Sequence, residues 1–397
     1  MPPQPRSGLG SRDMGRSLRV RCSSAASSFD TWIRGKSLGD IGEAFNAAFQ
    51  PGAFANDAIR RASLLEMRSV YCRKMLHNCI ALRPAAFCRL RDPTYLPSRA
   101  EVIEAFRLQE KMGAALSPID ADLELMDRIA NTPAAARSFE ENYINEFGPV
   151  AFSPLFAFCE EQGMFEVLTR EYVHALAEYI SERHEALPAD ARHRPVVELA
   201  AGSGRLSHFL QKEKSSFSLV ATDDGSWGLP EPFTVTRLPH EAALQVFDPA
   251  ISLCSWMPEN SDFTAEWRHR GSMSEYVLIG PADSGLSGLP WETWGYSPHD
   301  GEPATAISEL DEAISSLRPT DPKSRTLRSF RVGLAATQRG ELAPFCAEGF
   351  ERHAVGASRL QLCRTDSHSN SHRSQTVSFR RTQRASAAQA QPQLSAT

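Results

Sequence analysis

Residues 195–210 read PVVELAAGSGRLSHFL, and the expected fold of the chain follows from this segment. Apolar side chains dominate residues 196–199, which is typical of a short parallel strand that is buried on both faces. Gly202 and Gly204 follow, and glycines let the backbone turn tightly and approach a ligand closely. The pattern predicts a strand, a turn and a helix whose first N–H groups point at a bound ligand.

Acidic residues stand at the ends of two consecutive predicted strands. Glu198 lies at the end of the first strand, and residues 217–224 read FSLVATDD, which is apolar until Asp223 and Asp224. This second pair comes about twenty residues after the glycines, where a nucleoside-binding α/β fold places the acid that binds the ribose hydroxyls. Glycines can serve turn geometry alone, but the acidic strand end favours a ligand site.

The stretch resembles the first motif of class I S-adenosylmethionine-dependent methyltransferases. In that family an acidic residue precedes a turn of small residues and a G-x-G, which Glu198, Ala200, Gly202 and Gly204 match. Ala200 replaces the usual first glycine, a departure that we expect where the backbone does not adopt positive φ. A dinucleotide-binding dehydrogenase would have a third glycine at position 207, which is Ser207 in this chain.

The resemblance extends over residues 164–381 and implies the order of the remaining strands. Residues 250–258 (AISLCSWMP) and 275–280 (EYVLIG) are expected as the fourth and fifth strands, and residues 358–364 and 376–381 as a terminal antiparallel pair. The phrases CSWMP, WETWG and VSFRR resemble a eukaryotic branch of the superfamily. The expected fold is α/β, a Rossmann-like seven-stranded methyltransferase sheet with a C-terminal antiparallel strand pair, preceded by an α-helical domain.

The resemblance implies S-adenosylmethionine as cofactor and supplies a set of residues that bind it. Either His240 or Glu241 is expected to meet the adenine edge, although a carboxylate at a helix start also suits Glu241. The expected cofactor-binding residues are Glu198, Ala200, Gly202, Gly204, Asp223, Asp224 and Glu241.

The substrate side is expected in the loops that follow the fourth and fifth strands. Ser255 and Trp256 lie in the first of these loops and Glu292 in the second, and we take them as candidate catalytic residues. Aromatic walls at this edge could enclose a flat or cationic substrate, and packing under loops would also explain some of them. The tryptophans concerned are Trp227, Trp256, Trp267, Trp291 and Trp294.

Composition narrows the possible partners. The chain has 397 residues, of which 42% are hydrophobic and 23% charged, which is ordinary for a globular protein. A net charge of −5 gives no clear signal for nucleic acid, and no apolar run approaches the roughly twenty residues of a membrane helix. The 8 cysteines form no CxxC pair and no spacing suited to zinc, so we expect no metal.

Composition also divides the chain. Residues 1–29 are rich in Ser and Arg and are expected to be a disordered transit peptide for the plastid, with a mitochondrial or cytoplasmic location as alternatives. Residues 30–163 are expected as a helical N-terminal domain, 164–381 as the methyltransferase-like domain, and 382–397 as a disordered tail. Residues 317–338 are expected to form an irregular insertion.

Capping signals define helices within this frame. Asn56 is expected to cap a long helix, and Ser98 with Glu101 to form a capping box for a second that extends to Gly113. Another helix is expected over residues 169–187.

The sequence therefore favours an S-adenosylmethionine-dependent methyltransferase that acts on a small molecule or a protein side chain. Two alternatives remain open at this point. One is a protein that binds the cofactor without turnover, and the other, less favoured, is a nicotinamide-dependent oxidoreductase.

Overall fold

The structure is a computed structural model of the whole chain. It describes residues 35–50, 52–53, 56–106, 108, 133–147, 152–214, 216–230, 232–281, 286–296, 303–318, 321–364 and 374–382. The predicted transit segment and all but Thr382 of the predicted tail lie outside these residues. The import and disorder expected of them stay predictions.

Helices come first along the chain, and strands follow. Before the first strand, α-helices α1 to α7 are Leu38–Asn46, Asp57–Leu82, Pro84–Leu90, Arg99–Phe106, Ala134–Phe147, Pro154–Gln162 and Arg170–Glu185. The strands β1 to β7 are Val196–Leu199, Leu219–Asp223, Thr236–Arg237, Ile251–Ser255, Glu275–Pro281, Phe350–Ala354 and Ser374–Arg381. Between and after the strands, helices α8 to α14 are Arg205–Glu213, His240–Phe247, Thr264–His269, Pro290–Trp294, Pro303–Ser315, Pro322–Gln338 and Pro344–Ala347. Among the described residues, no helix combines the length and apolar character that crossing a bilayer requires.

The chain divides into two compact units. Of the described residues, 35–82 and 133–157 form the first unit, and 83–108 and 158–382 form the second. The sequence prediction ended the helical N-terminal domain at residue 163. In the structure, residues 83–108 belong instead to the unit that contains the sheet. These residues bond to the sheet unit, since the backbone N–H of Arg99 donates to Glu171 at 2.7 Å.

The first unit is helical and has an aromatic core. Helices α1 and α5 pack so closely that a Cβ on Gly42 would lie 2.6 Å from the carbonyl oxygen of Ala135. Around this contact, Phe139 packs against Phe45 and Tyr71 with ring centroids 5.2 and 5.3 Å apart. The helical character predicted for this part of the chain holds over these residues.

The second unit contains a seven-stranded sheet in the order β3-β2-β1-β4-β5-β7-β6. Strands β1 to β5 are parallel, whereas β7 is antiparallel to both β5 and β6. This is the mixed sheet with an antiparallel C-terminal pair that the resemblance implies, and the expected fold class is confirmed. The strand order reverses between β1 and β4, and open α/β sheets bind ligands outside the carboxyl ends of the strands at such a point.

Apolar side chains cover both faces of the sheet. On one face α7 and α8 supply Tyr172, Leu176 and Phe209 to a core that includes Leu253 of β4. On the other face Leu244 of α9 and Trp267 of α10 pack with Leu199 and Leu278 of the sheet, as parts of a second core. Burial on both faces explains the continuous apolar runs of β1, β4 and β5.

The predicted helix starts are confirmed. Asn56 Oδ1 accepts the backbone N–H of Ile59 at 2.9 Å, and α2 begins at the next residue after Asn56. Ser98 and Glu101 form the reciprocal capping box, with bonds of 2.7 and 3.1 Å. Thr169 caps α7. Local signals of this kind are reliable because the donor and acceptor lie within one turn of each other.

Two elements of the second unit differ from the sequence prediction. Strand β6 is Phe350–Ala354, and the segment 358–364 that was expected to be this strand contains the end of the 3₁₀ helix Gly356–Leu360. The Ser358 side chain bonds the backbone of Thr376, donating to its carbonyl at 2.8 Å and accepting its N–H at 2.7 Å, so it replaces a strand ladder there. The segment 317–338, expected to be irregular, contains helix α13, which Asp321 caps.

A buried carboxylate joins α7, β5 and β7. Glu275 opens β5 and accepts bonds from Arg183 Nε at 2.6 Å, from Ser378 Oγ at 2.7 Å and from the Tyr179 hydroxyl. Arg380 Nε lies 3.8 Å from the same carboxylate. A buried charge requires such partners, because removing it from water costs several kcal/mol.

We expect Glu275→Gln to lower the free energy of unfolding by about 3 kcal/mol. This is the low end for a broken buried ion pair, because Arg183 and Arg380 keep about a third of their side chains exposed. Urea denaturation measures the change. Glu351→Gln in β6, at an exposed position, is the matched control and should change stability by less than about 0.5 kcal/mol. Equal losses in the two variants would contradict a structural role for the Glu275 network.

Candidate functional site

The turn after β1 is held in an unusual backbone conformation. Ala200, Gly202 and Gly204 all have positive φ, at 54°, 56° and 72°. The expectation that Ala200 does not adopt positive φ is therefore wrong. The turn demands left-handed backbone at this position, which costs a residue with a Cβ roughly 1–2 kcal/mol. At Gly204 a Cβ would lie 2.7 Å from Val235 Cγ2, so the close approach excludes a larger residue there.

Asp223 closes this turn from the neighbouring strand. Its Oδ2 accepts the N–H of Gly202 at 2.9 Å, and its Oδ1 accepts the N–H of Gly225 at 2.6 Å. Arg237 Nη1 lies 3.8 Å from Oδ1. Asp224 is exposed and accepts the nearby N–H of Ser226 at 2.8 Å. Asp223, on which the resemblance places the ribose-binding acid, is therefore the one of the two neighbouring carboxylates that belongs to the turn.

Glu198 is buried and bound to the helix that follows the turn. Ser207 donates to its Oε2 twice, from the backbone N–H at 3.0 Å and from Oγ at 2.5 Å. Burial raises the pKa of Glu198 from 4.5 to about 7, the Ser207 bonds oppose the shift, and the carboxylate of Asp223 adds to it. Position 207, where a dehydrogenase would have a glycine, thus has a role that glycine cannot fill.

Arg205 begins α8 directly after Gly204, and sequence reasoning did not select it. Its guanidinium donates to the carbonyl oxygen of Tyr95 and to Sδ of Met164, both at 2.9 Å. Its Nε is buried and has no hydrogen-bond partner among the described residues. Burial lowers the pKa of this guanidinium. A half-buried cation with a buried Nε therefore lies beside the glycine turn.

Trp256 follows β4 and has a positive φ of 57°. Its backbone N–H donates to the carbonyl of Ile279 at 2.7 Å, and its indole N–H donates to Glu166 Oε2 at 2.6 Å. Ser374 Oγ donates to the same oxygen at 3.0 Å. Ser255, the other candidate in this loop, is the last residue of β4 and is half-buried. The ring of Trp256 is thus fixed at the end of β4, and the ends of β1 and β4 flank the point where the strand order reverses.

Two short segments next to Trp256 pair with each other. Val167 N–H donates to the carbonyl of Leu362 at 2.8 Å, and Arg364 N–H donates to the carbonyl of Phe165 at 3.0 Å. This pairing brings the Arg364 guanidinium to 4.1 Å from the centroid of the Phe165 ring and 5.3 Å from that of Trp256. Arg364 and Phe165 are therefore neighbours of a predicted site residue.

Glu241 lies at the start of α9, with about half of its side chain exposed. His240 Nε2 is 3.3 Å from Glu241 and its Nδ1 is 3.7 Å from Glu266, while its ring packs on Phe263 with centroids 3.9 Å apart. Burial lowers the pKa of His240. The ligand atoms of His240, Glu241 and Glu266 lie within 4.8 Å of one another, which is close enough to share a cation. Half-exposed carboxylates are common on surfaces without a bound cation. None of these contacts tests whether Glu241 meets the adenine edge, and this expectation stays a prediction.

Glu292 and most of the tryptophans lie in packed contacts between helices. Ser329 of α13 donates to the Glu292 carboxylate, and Trp291 of the same α11 turn donates its N–H to Ser329 Oγ at 2.9 Å. Trp291 also packs against α13, since a Cβ on Gly333 would lie 2.9 Å from its ring. These contacts suit a helix junction, and the predicted acid/base role of Glu292 has no support from them.

The five tryptophans at this edge serve different purposes. Trp267 and Trp294 are buried in the core of one sheet face, which is the packing role that the sequence left open. Trp227 packs near Phe165, at 5.7 Å between ring centroids, and Trp256 does so at 5.4 Å. Of the five, Trp227 and Trp256 are thus the two with a ring contact to Phe165 among the described residues.

Sequence reasoning missed Phe165, Glu166, Arg205 and Arg364. Arg205 carried a usable signal, because it adjoins the glycine turn. The others carried none, since Glu166 is 90 residues from Trp256 and 208 from Ser374. Contacts across such distances appear only once the chain is folded.

Comparison with protein-family models gives no match, and comparison with curated proteins gives none either. Solved structures that this chain matches include the citrinin polyketide synthase CMeT domain, with a TM-score of 0.30 and 10% identity over 89% of this chain and 97% of that chain. They also include the plantazolicin methyltransferase BpumL in complex with SAH, with a TM-score of 0.25 and 9% identity over 66% of this chain and 97% of that one. The pyocyanin biosynthetic protein PhzM matches with a TM-score of 0.23 and 14% identity over 82% and 99% of the two chains. At these scores the fold assignment depends on the strand order and not on the matches.

We expect Ala200→Gly to stabilise the protein by about 0.5–1 kcal/mol. Glycine relieves the left-handed strain of roughly 1–2 kcal/mol, and its greater freedom in the unfolded chain returns part of this gain. Thermal melting measures the change. Ala221→Gly in β2 is the control and should destabilise, because Ala221 lies within an ordinary strand. A loss of stability in both variants would contradict strain at Ala200.

Glu198→Gln should remove a pH dependence of stability. Because the pKa of Glu198 is about 7 in the folded chain and about 4.5 when unfolded, folding takes up a proton between these values. The stability of the wild type relative to Glu198→Gln should therefore be greatest below about pH 4.5 and fall, by on the order of 2–3 kcal/mol, as pH rises to about 7. Denaturation at several pH values measures this difference. The control Glu182→Gln, at an exposed position, should show the same dependence of stability on pH as the wild type. The same dependence in Glu198→Gln would contradict a raised pKa of Glu198.

Proposed function

We propose that this chain binds S-adenosylmethionine and transfers its methyl group to an acceptor. The observation that carries the proposal is the sheet order with antiparallel β7, combined with a glycine turn and an acid at the carboxyl ends of β1 and β2. A glycine turn and an acid thus lie at the point where the strand order reverses, which supports the binding of a nucleoside there.

The residues around the turn fit the chemistry of this cofactor. Gly202 and Gly204 have no side chains to obstruct it, and each Asp223 oxygen accepts one backbone N–H, which leaves lone pairs for ribose hydroxyls. Arg205 has a buried Nε without a hydrogen-bond partner in the described part of the chain, which suits the carboxylate of the methionine part. We take Asp223 as the residue that would hold the ribose of the cofactor and Arg205 as the residue that would hold its methionine carboxylate.

When bound, the cofactor supplies a methyl group on a sulfonium, and displacement of this group requires the acceptor atom to approach in line with the carbon–sulfur bond. The protein's contribution is orientation. Trp256 is suited to this task, because its strained backbone and its bond to Glu166 hold its ring in one position. The acceptor is a small molecule or a protein side chain.

A protein that binds the cofactor without turnover would have the same turn and the same acid. The strain at Trp256 favours an active enzyme, because strained backbone concentrates where substrate must be positioned. A nicotinamide-dependent oxidoreductase is less favoured. The antiparallel β7 and the bond from Ser207 to Glu198 both depart from the dinucleotide-binding pattern.

Calorimetric titration of the purified chain with S-adenosylmethionine, with its demethylated product SAH and with NAD separates these functions. We expect saturable binding of the first two and none of NAD. Transfer of labelled methyl groups to a metabolite or protein extract then distinguishes turnover from binding. Binding of NAD alone would exclude the proposal.

We expect Asp223→Asn to weaken the binding of S-adenosylmethionine about 10- to 150-fold. The loss corresponds to about 1.5–3 kcal/mol for hydrogen bonds to a charged acceptor. Asp224→Asn is the matched control and should leave the affinity nearly unchanged, because Asp224 is exposed and outside the turn. Calorimetry measures both affinities, and circular dichroism checks that each variant is folded. A larger loss in Asp224→Asn would reverse the assignment of the ribose acid.

A further inference from the structure

Arg364 lies beside the ring of Trp256, which its bond to Glu166 holds in place. Its backbone is tied to Phe165 by a hydrogen bond of 3.0 Å, and its guanidinium lies over the Phe165 ring at 4.1 Å and near the Trp256 ring at 5.3 Å. The guanidinium is therefore positioned by two aromatic faces, which leaves the edge of its planar fork for other partners.

No carboxylate of the described residues forms an ion pair with Arg364 within 4.0 Å. Its Nε is buried and receives no hydrogen-bond acceptor from the residues that the structure describes. Glu160 and Glu259 act on it electrostatically, but burial outweighs them and lowers the pKa of the guanidinium. Arg364 is half-buried, and a buried donor such as its Nε is normally paired, so this arginine indicates an anionic ligand.

The rings around Arg364 extend outward to the protein surface. Phe165 lies between Trp256, at 5.4 Å, and Trp227, at 5.7 Å between ring centroids. Trp227 is 53% exposed, which is unusual for the largest apolar side chain. An exposed tryptophan that continues a buried aromatic group is suited to contact a flat ligand.

The charge of Arg364 also decides between two classes of substrate that the sequence left open. Aromatic walls alone are compatible with a flat or a cationic substrate. A guanidinium beside the rings repels a second cation and attracts an anion, so it favours the flat substrate and makes a negative charge on it advantageous.

We infer that Phe165, Trp256 and Arg364 form an acceptor subsite that binds a planar molecule through a carboxylate. The carboxylate receives the two parallel N–H donors of the Arg364 fork, and the planar part lies against the aromatic rings. The inference rests on the proposed methyl transfer in calling this ligand the acceptor.

A carboxylate fits this site better than a phosphate. Phosphate carries close to two charges at neutral pH and is usually held by several cations or by a helix N-terminus. Among the described residues, the aromatic group offers one guanidinium, which matches a single carboxylate.

The direct test compares 2-naphthoate with its neutral isostere 2-naphthamide, by calorimetry in the presence of saturating SAH. We expect 2-naphthoate to bind at least about 10-fold more tightly, because only the carboxylate forms charge-assisted bonds with Arg364. 2-Naphthyl phosphate should bind more weakly than 2-naphthoate. Equal affinities for naphthoate and naphthamide, tighter binding of the phosphate, or no saturable binding up to millimolar naphthoate would overturn the inference.

Variants then locate the interaction. Arg364→Gln should remove the preference for naphthoate over naphthamide, and Arg364→Lys, which keeps the charge but not the fork, should keep part of it. Arg359→Gln, at an exposed arginine of the neighbouring 3₁₀ helix, is the matched control and should behave as the wild type. A preference that persists in Arg364→Gln would place the carboxylate elsewhere.

Titration of the same variants with S-adenosylmethionine separates this inference from the proposed function. We expect Arg364→Gln to leave that affinity unchanged within about 2-fold. If Arg364→Gln instead weakens the cofactor and leaves naphthoate binding intact, Arg364 belongs to the cofactor site and the acceptor subsite is wrong. If naphthoate binds through Arg364 while the wild type binds no S-adenosylmethionine, the carboxylate site stands and methyl transfer fails.

Discussion

The hydrogen bonds to Asp223 join the two loops on which the site depends. One carboxylate accepts the N–H of Gly202, in the turn after β1, and the N–H of Gly225, in the loop after β2. Gly202 lies 21 residues before Asp223 in the sequence, and both bonded glycines have positive φ. Because left-handed backbone has few local stabilising contacts, an acceptor from the neighbouring strand is what fixes the conformation of the turn.

Backbone strain occurs on both sides of the point where the strand order reverses. Ala200 follows β1 and Trp256 follows β4, and both are non-glycine residues with positive φ. Such conformations persist only where the surroundings determine them. Here Gly202, two residues after Ala200, bonds Asp223, and Trp256 itself bonds Glu166. The strain is therefore located where a nucleoside-binding fold positions its ligands, which agrees with a role in orienting them.

The antiparallel end of the sheet contributes to the site as well as to stability. Ser374 opens β7 and bonds the Glu166 carboxylate that holds Trp256, while Ser378 of the same strand bonds Glu275 in the core. The segment before β7 supplies Arg364, and the segment before α7 supplies Phe165. A parallel sheet without this C-terminal pair would lack the strand that brings these residues to the end of β4.

Much of the fold and half of the site followed from the sequence, because the signals are local. The apolar run of β1, the glycines after it, Asp223 at the end of β2 and the caps at Asn56 and Ser98 each involve residues within one or two elements. Short-range geometry limits such segments to few conformations, so the strand, turn and helix can be predicted without the rest of the chain.

The other features of the fold and the site depend on contacts between distant segments, so they appear only in the folded chain. No sequence spacing relates Phe165, Glu166, Trp256 and Arg364, and it is the pairing of residues 165–167 with 362–364 that brings them together. The identity of β6 was equally inaccessible, because the alternating apolar pattern of residues 358–364 resembles a strand until Ser358 takes the backbone groups of Thr376. Burial and charge pairing are properties of the folded chain, and they give Arg364 and Glu198 a chemistry that their residue types do not reveal.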